Sequence, residues 1–224
     1  GPISEALGTL AKLSKLNLGF NELTGCIPEA LSAVTNLKKM SLNTNHLTGP
    51  IPAALGALTN LTSLSLINNQ LAGPIPEALG ALASLAELDL SRNQLTGSIP
   101  EALGALTNLT RLQLQSNQLS GTVPFSLWKL DSLTWAHVTH NRLTHFTDPE
   151  EKTASMPVVL DCMSKRQWYT ADNPWEFPPA AVMVNGPESI RKFYGTWEQC
   201  DFALVEIHAL KVVFVGAYGA GKTR

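Results

Sequence analysis

Residues 85–108 read LAELDLSRNQLTGSIPEALGALTN, and the same pattern begins again at Leu109. The chain matches itself at a shift of 24 residues, marked by Asn21, Asn45, Asn69, Asn93, Asn117 and Asn141. Each asparagine follows an L-x-x-L-x-L type stretch, such as Leu85, Leu88 and Leu90 before Asn93, and is followed two residues later by another leucine. A second signature, G-x-I-P-x-x-L-G-x-L, recurs between these segments, as in Gly73, Ile75, Pro76, Leu79, Gly80 and Leu82. In L-x-L an inward leucine alternates with an outward polar residue, which is the period of a strand. Glycine and proline then bend the chain back, so that the next strand is expected to lie parallel beside the last.

A buried leucine contributes roughly 1.5–3 kcal/mol. One repeat cannot bury its own leucines, so they count only when neighbours stack. The recurring asparagine has a different task. Its amide can bond backbone groups of the turns above and below, where an unpaired buried peptide group would cost about 1–3 kcal/mol. It reads as structural, not catalytic.

These residues resemble the leucine-rich-repeat family over residues 1–148, and the G-x-I-P element resembles its plant-type subclass. The resemblance implies an α/β solenoid, a right-handed superhelix with a parallel sheet on its concave side. Strands ~4.8 Å apart would give six repeats a sheet about 24 Å across, suited to a protein or peptide and too open for a small metabolite. By the alternation, the outward positions are Lys15, Asn17 and Phe20; Lys39, Ser41 and Asn43; Ser63, Ser65 and Ile67; Glu87, Asp89 and Arg92; Arg111, Gln113 and Gln115; Trp135, His137 and Thr139. They differ from repeat to repeat while the framework stays nearly constant. Lys15, Lys39, Glu87, Asp89, Arg92, Arg111, Gln113, Trp135 and His137 are therefore expected to meet a partner, with Trp135 beside Arg111 as its anchor.

Composition narrows the alternatives. Apolar residues make up 44% of 224 residues and charged ones 15%, with a net charge of -2, so a packed core is expected. Lys and Arg are scattered, without interleaved aromatics, which argues against a nucleic-acid partner. No apolar run is long enough to span a bilayer. Cys26, Cys162 and Cys200 are odd in number and far apart, suggesting neither a disulfide framework nor a zinc site, and a reducing compartment is the simpler reading. His137, His140 and His145 lack an acidic or thiol partner at metal-binding spacing and read as surface histidines. The sequons at Asn60 and Asn108 fall out of the repeated T-N-L-T consensus and would matter only in a secreted chain. The opening Gly1-Pro2-Ile3 already reads as mid-repeat, so sequence is expected upstream.

Past Asn141 the period fails. Residues 149–198 are expected to form a C-terminal cap over the last hydrophobic edge, through a Pro- and Trp-rich stretch, Asn173-Pro174-Trp175-Glu176-Phe177-Pro178-Pro179, and a short helix from near Pro187. In that helix Ile190, Phe193, Tyr194 and Trp197 make one apolar stripe. Residues 199–209 read as a linker and 210–224 as a strand and loop: Leu210, Val212, Val213, Phe214 and Val215 suit a strand buried on both faces. Gly216-Ala217-Tyr218-Gly219-Ala220-Gly221-Lys222-Thr223 fits GxxxxGK[ST] at every fixed position. Glycines let backbone N–H groups curl around phosphates, Lys222 would neutralise the outer phosphates, and Thr223 would face magnesium.

The order of parts resembles the Roco family, in which leucine-rich repeats, an N-P-x-x-x-P-P cap and a G-x-x-x-I-R-x-[FY] helix precede a Ras-like Roc GTPase domain. The matching residues are Asn173 through Pro179, then Gly186, Ile190, Arg191, Phe193 and Tyr194. The resemblance implies GTP and magnesium in a cytoplasmic full-length protein, with the repeats as its sensor and dimerisation as an option. Arg224 departs from the small hydroxyl residue that commonly follows Thr223. The remaining GTPase motifs would lie beyond residue 224, so the chain is expected to be truncated at the start of the Roc domain, to bind no cofactor tightly and to be non-catalytic. The alternatives are a stand-alone receptor-type repeat module without a nucleotide role, and the product of a decayed gene.

Overall fold

The computed structural model describes residues 1–146, 167–174, 202–204 and 214–216. The repeats build a parallel-strand solenoid. Seven three-residue strands form one parallel sheet in chain order: Lys15–Asn17, Lys39–Ser41, Ser63–Ser65, Glu87–Asp89, Arg111–Gln113, Trp135–His137 and Gln167–Tyr169. Their register is in phase with the repeat, so equivalent residues stand side by side: Glu87 pairs with Arg111, and Arg111 with Trp135. The middle residue of each strand faces inward. Leu16, Met40, Leu64, Leu88, Leu112, Ala136 and Trp168 form this buried column, and none is more than 7% exposed.

The asparagine ladder forms, with one correction to its wiring. Asn93 donates its amide to carbonyls of its own coil, Leu90 (3.2 Å) and Ser91 (3.1 Å), and of the preceding coil, Leu66 (3.0 Å). Its Oδ1 accepts the N–H of Leu71, also in the preceding coil, at 3.0 Å. Each amide thus serves its own coil and the one before, not both neighbours, because donor and acceptor ends of one planar group face the same side. Asn45, Asn69, Asn117 and Asn141 repeat these contacts. Asn21 is exposed and bonds only Leu18 and Gly19 of its own coil. The residue before each asparagine takes the left-handed conformation, as at Arg92 (φ 54°).

Two elements of each coil were not expected from the sequence. The chain between the asparagine and the G-x-I-P turn pairs into a second parallel sheet, formed by Thr24–Gly25, His46–Gly49, Gln70–Pro74 and Gln94–Thr96, and Ser120–Val123 pairs likewise with Arg142–Phe146. Glycine closes these strands because the turn needs positive φ, +76° at Gly97. The E-A-L-G-A segments then form single-turn 3-10 helices, such as Glu77–Ala81 and Glu101–Ala105, with the α-helical Phe125–Trp128 in the sixth coil. Five residues are too few for a self-standing α-helix. The tighter turn still aims Leu79 and Leu82 into the core. Helices of adjacent coils sit so close that a Cβ at Gly80 would run into the Ala102 carbonyl.

The T-N-L-T segments add a second, exposed ladder. Asn60 and Asn108, the sequon asparagines, donate their amides to the Thr35 and Ala83 carbonyls of the preceding coil at 2.9 and 2.8 Å.

The array runs past the expected boundary at residue 148. Gln167–Tyr169 pairs in parallel with Trp135–His137, and Asn173 is a seventh rung, donating to Val138 (2.9 Å) and Thr170 (3.2 Å) and accepting from the Leu143 N–H (3.0 Å). Asn173, expected in a proline-rich cap, therefore belongs to the repeat. Further along, Phe202–Leu204, inside the expected linker, pairs antiparallel with Phe214–Gly216. The remainder of the expected cap, its helix and residues 217–224 of the phosphate loop lie outside the described residues.

Candidate functional site

Alternation leaves two outward residues on each strand of the seven-stranded sheet, and the in-phase register aligns them into columns across the coils. One column runs Lys15, Lys39, Ser63, Glu87, Arg111 and Trp135; the next runs Asn17, Ser41, Ser65, Asp89, Gln113, His137 and Tyr169. Lys15, Lys39, Glu87, Arg92 and Arg111 are exposed, as the alternation required, and Trp135 and His137 are half-buried.

Thr139, expected outward, is instead buried at 7% exposure. It lies beyond the short strand, where the chain is turning toward the ladder asparagine, and its Oγ1 lies 2.9 Å from His137 Nε2. Asp89 is a second adjustment, because its carboxylate is already committed. One oxygen accepts from the Ser91 N–H (3.0 Å) and hydroxyl (2.6 Å), and the other from Gln113 Nε2 (3.1 Å). It tightens the sheet and offers less to a partner than Glu87, whose single side-chain contact comes from the Ser63 hydroxyl at 3.3 Å.

The chemistry concentrates in the last two coils. The Tyr169 ring lies 4.8 Å from Trp135 and 5.0 Å from His137, centroid to centroid, both tilted by nearly half a right angle. Such offset ring contacts are favourable beyond the area they bury. Tyr169 nevertheless remains 40% exposed. Burial holds the His137 pKa below the ordinary histidine value, nearby His140 lowers it further, and Asp89 opposes both. The ring is therefore presented to a partner neutral at neutral pH. Beside it His140 meets Asp172 at 3.2 Å, an exposed pair worth little by itself.

The alternation put Trp135 and His137 on the outward face, where the structure has them, but left Tyr169 out. The signal was present: Trp168-Tyr169-Thr170-Ala171-Asp172-Asn173 keeps the L-x-L-x-x-N frame with Trp and Thr in place of the leucines. Among the described residues there is no cluster of three or more metal-ligating side chains, and no helix is long and apolar enough to cross a membrane.

Solved structures similar to the solenoid include plant proteins. The chain is similar to the leucine-rich-repeat ectodomain of the membrane receptor kinase GASSHO1/SCHENGEN3 from Arabidopsis thaliana, solved with CASPARIAN STRIP INTEGRITY FACTOR 2. Identity is 35%, with 78% of this chain and 20% of that one covered and a TM-score of 0.69. It is similar to the plant peptide hormone receptor RGFR1, solved with RGF2, at 30% identity over 82% of this chain and 28% of that one, with a TM-score of 0.71. A plant ice-binding protein is 37% identical over 64% of this chain and 46% of that one, with a TM-score of 0.59. The chain thus spans about a fifth to somewhat more than a quarter of these two receptor chains. No curated protein matches it at a significant level. The leucine rich repeat family profile matches residues 11–71, 35–95, 59–119 and 83–143, overlapping windows that together take in more than half of the chain. With the strand columns and the asparagine ladder already in place, this match shows that the chain belongs to the leucine-rich-repeat family.

Proposed function

We propose that the chain is a recognition module that binds a peptide or protein segment across its seven-stranded face, anchored on Trp135, His137 and Tyr169. The observation that carries this reading is the ring cluster itself. Three aromatic rings in contact, one of them 40% exposed, stand in strand columns that are otherwise polar and charged, while the exposed Phe20 lies off the strands in the first coil. Water-facing rings held rigid by their neighbours cost little entropy on binding and are the side chains most enriched at interface hot spots. The similar receptor ectodomains, solved with a peptide hormone or an integrity factor, support the same use of the fold. The likeness to an ice-binding protein shows that the scaffold does not dictate its ligand, so the weight falls on the face.

The test works with the natural partner still unidentified. Random twelve-residue peptides displayed on phage are panned against the chain. Those selected are expected to bind Trp135→Ala at least about 30-fold more weakly, equivalent to about 2 kcal/mol. Selected peptides that bind both proteins equally would defeat the proposal.

A second reading is favoured by one observation, the complete GxxxxGK[ST] match from Gly216 to Thr223. In it the repeats, extended to Asn173, are the sensor of a cytoplasmic Roco-type GTPase, with a cap after them and 210–224 as the opening of the Roc domain. Lys222 and the loop amides then hold GTP phosphates, and Thr223 holds magnesium. A fluorescent GTP analogue titrated into the chain with magnesium is expected to show weak binding that Lys222→Ala abolishes. Indifference of the signal to that substitution would remove the support.

A further inference from the structure

The outward column of the sheet carries an ordered sequence of charges that the framework does not require. From the ring cluster toward the first coil it reads Trp135, Arg111, Glu87, Ser63, Lys39 and Lys15. The inward column beside it is almost invariantly apolar. Variation is thus confined to the side that contributes least to stacking.

Arg111 and Glu87 are register partners with opposite charge, yet among the described residues their side chains form no ion pair. Glu87 instead takes the Ser63 hydroxyl at 3.3 Å, on the side away from Arg111. Lys39 and Lys15 also make no ion pair among the described residues. Each of these four charges is exposed and open to a ligand. An exposed Arg–Glu pair, if it formed transiently, would hold them with no more than about 1 kcal/mol, too little to exclude a partner.

Strand spacing turns this column into a ruler. Coils are ~4.8 Å apart and an extended peptide advances ~3.3 Å per residue. Arg111 therefore lies about one or two peptide residues from Trp135, Glu87 about three, Lys39 about six and Lys15 about seven. We infer that the face selects an extended peptide bearing an apolar or aromatic residue for the Trp135–Tyr169 cluster, a carboxylate one or two positions away, a cation about three positions away, and further carboxylates about six or seven positions away. This inference rests on the peptide-binding reading of the face and specifies its ligand. Complementary charge fixes direction and register along the face, while the rings supply most of the affinity.

The experiment compares peptides selected from one phage library of random twelve-residue sequences by three proteins: the chain, a double variant with Arg111→Glu and Glu87→Arg, and Lys39→Glu. The chain is expected to enrich the order apolar, acidic, basic. The double variant should enrich apolar, basic, acidic, and bind peptides selected by the parent about tenfold or more weakly. Lys39→Glu should lose the acidic preference about six positions away and keep the one about seven positions away that Lys15 sets. All three positions are exposed, and superimposable thermal melts establish that the variants fold.

Peptides that depend on Trp135 but carry the same charge order whichever protein selects them would overturn this inference and leave the binding reading standing. Selected peptides indifferent to Trp135→Ala would overturn both.

Discussion

Replacing Asn93 with alanine is expected to destabilise the solenoid by about 3 kcal/mol or more, although the change removes only one small polar side chain. The amide occupies a buried site, 9% exposed, and bonds the Leu66, Leu90 and Ser91 carbonyls and the Leu71 N–H. Alanine orphans the Leu71 N–H and takes one donor from each carbonyl, which keep Asn69 Nδ2 at Leu66, Asn117 Nδ2 at Leu90 and the Asn68 N–H at Ser91. The orphaned N–H costs about 1–3 kcal/mol and each lost hydrogen bond about 0.5–1.5 kcal/mol, and partial relaxation or a trapped water recovers some of that sum. For a chain of this size the thermal midpoint should fall by roughly 6–12 °C. Asn21→Ala supplies the internal comparison. Asn21 is exposed and bonds only two carbonyls of its own coil, so its loss should cost well under about 1 kcal/mol. Equal midpoints for the two variants in urea or thermal unfolding would show that the ladder does not hold the coils together.

The repeat made this ladder readable because hydrogen-bonding chemistry, not local propensity, demands asparagine at one place in every coil. Glutamine would set the amide too far from the backbone, and serine cannot both donate twice and accept. The strand columns were readable for the same reason, since a period of two inside a period of 24 residues leaves little freedom in register. The second sheet and the 3-10 turns were not. Their residues, such as Gln94-Leu95-Thr96-Gly97 and Glu101-Ala102-Leu103-Gly104-Ala105, have weak or mixed propensity and form regular structure only because an identical neighbour lies beside them.

The seventh coil escaped for a different reason. It follows Asn141 after a longer interval, and Trp168 and Thr170 replace the two inward leucines, so both the spacing and the chemistry of the signature change together. The register pairs Trp168 with Ala136, the smallest side chain in the inward column, which makes space for the larger ring. The site was consequently half legible. Trp135 and His137 followed from the alternation, whereas Tyr169 required the seventh strand to be recognised first.

That dependence makes Trp168 the position where folding and recognition meet, and Trp168→Ala the variant with the most informative outcome. Trp168 is 3% exposed, and emptying such a site costs about 3–5 kcal/mol. In a solenoid the loss falls on the nearest coil interface, because each coil contacts only its neighbours. The seventh coil should therefore come away while the preceding coils remain stacked. Several sixth-coil amides report this directly, since they donate to the seventh: Val138 to Tyr169 (2.9 Å), His140 to Ala171 (3.2 Å) and Leu143 to Asn173 Oδ1 (3.0 Å). In hydrogen exchange the buried Val138 and Leu143 amides should lose protection by two or more orders of magnitude, the counterpart of about 3 kcal/mol of local opening. The Leu66 amide, which donates to Asp89 at 2.8 Å, should keep its protection. Tyr169 shares the strand of Trp168, so the same variant should release it from Trp135 and His137 and weaken peptide binding as much as Tyr169→Ala does. Unchanged protection at Val138 together with intact binding would mean that the seventh strand contributes neither to the stack nor to the recognition face. Uniform loss of protection from the first coil to the last would mean instead that the array unfolds as one unit, and the division of labour between an end coil that completes the site and a body that supports it would have to be abandoned.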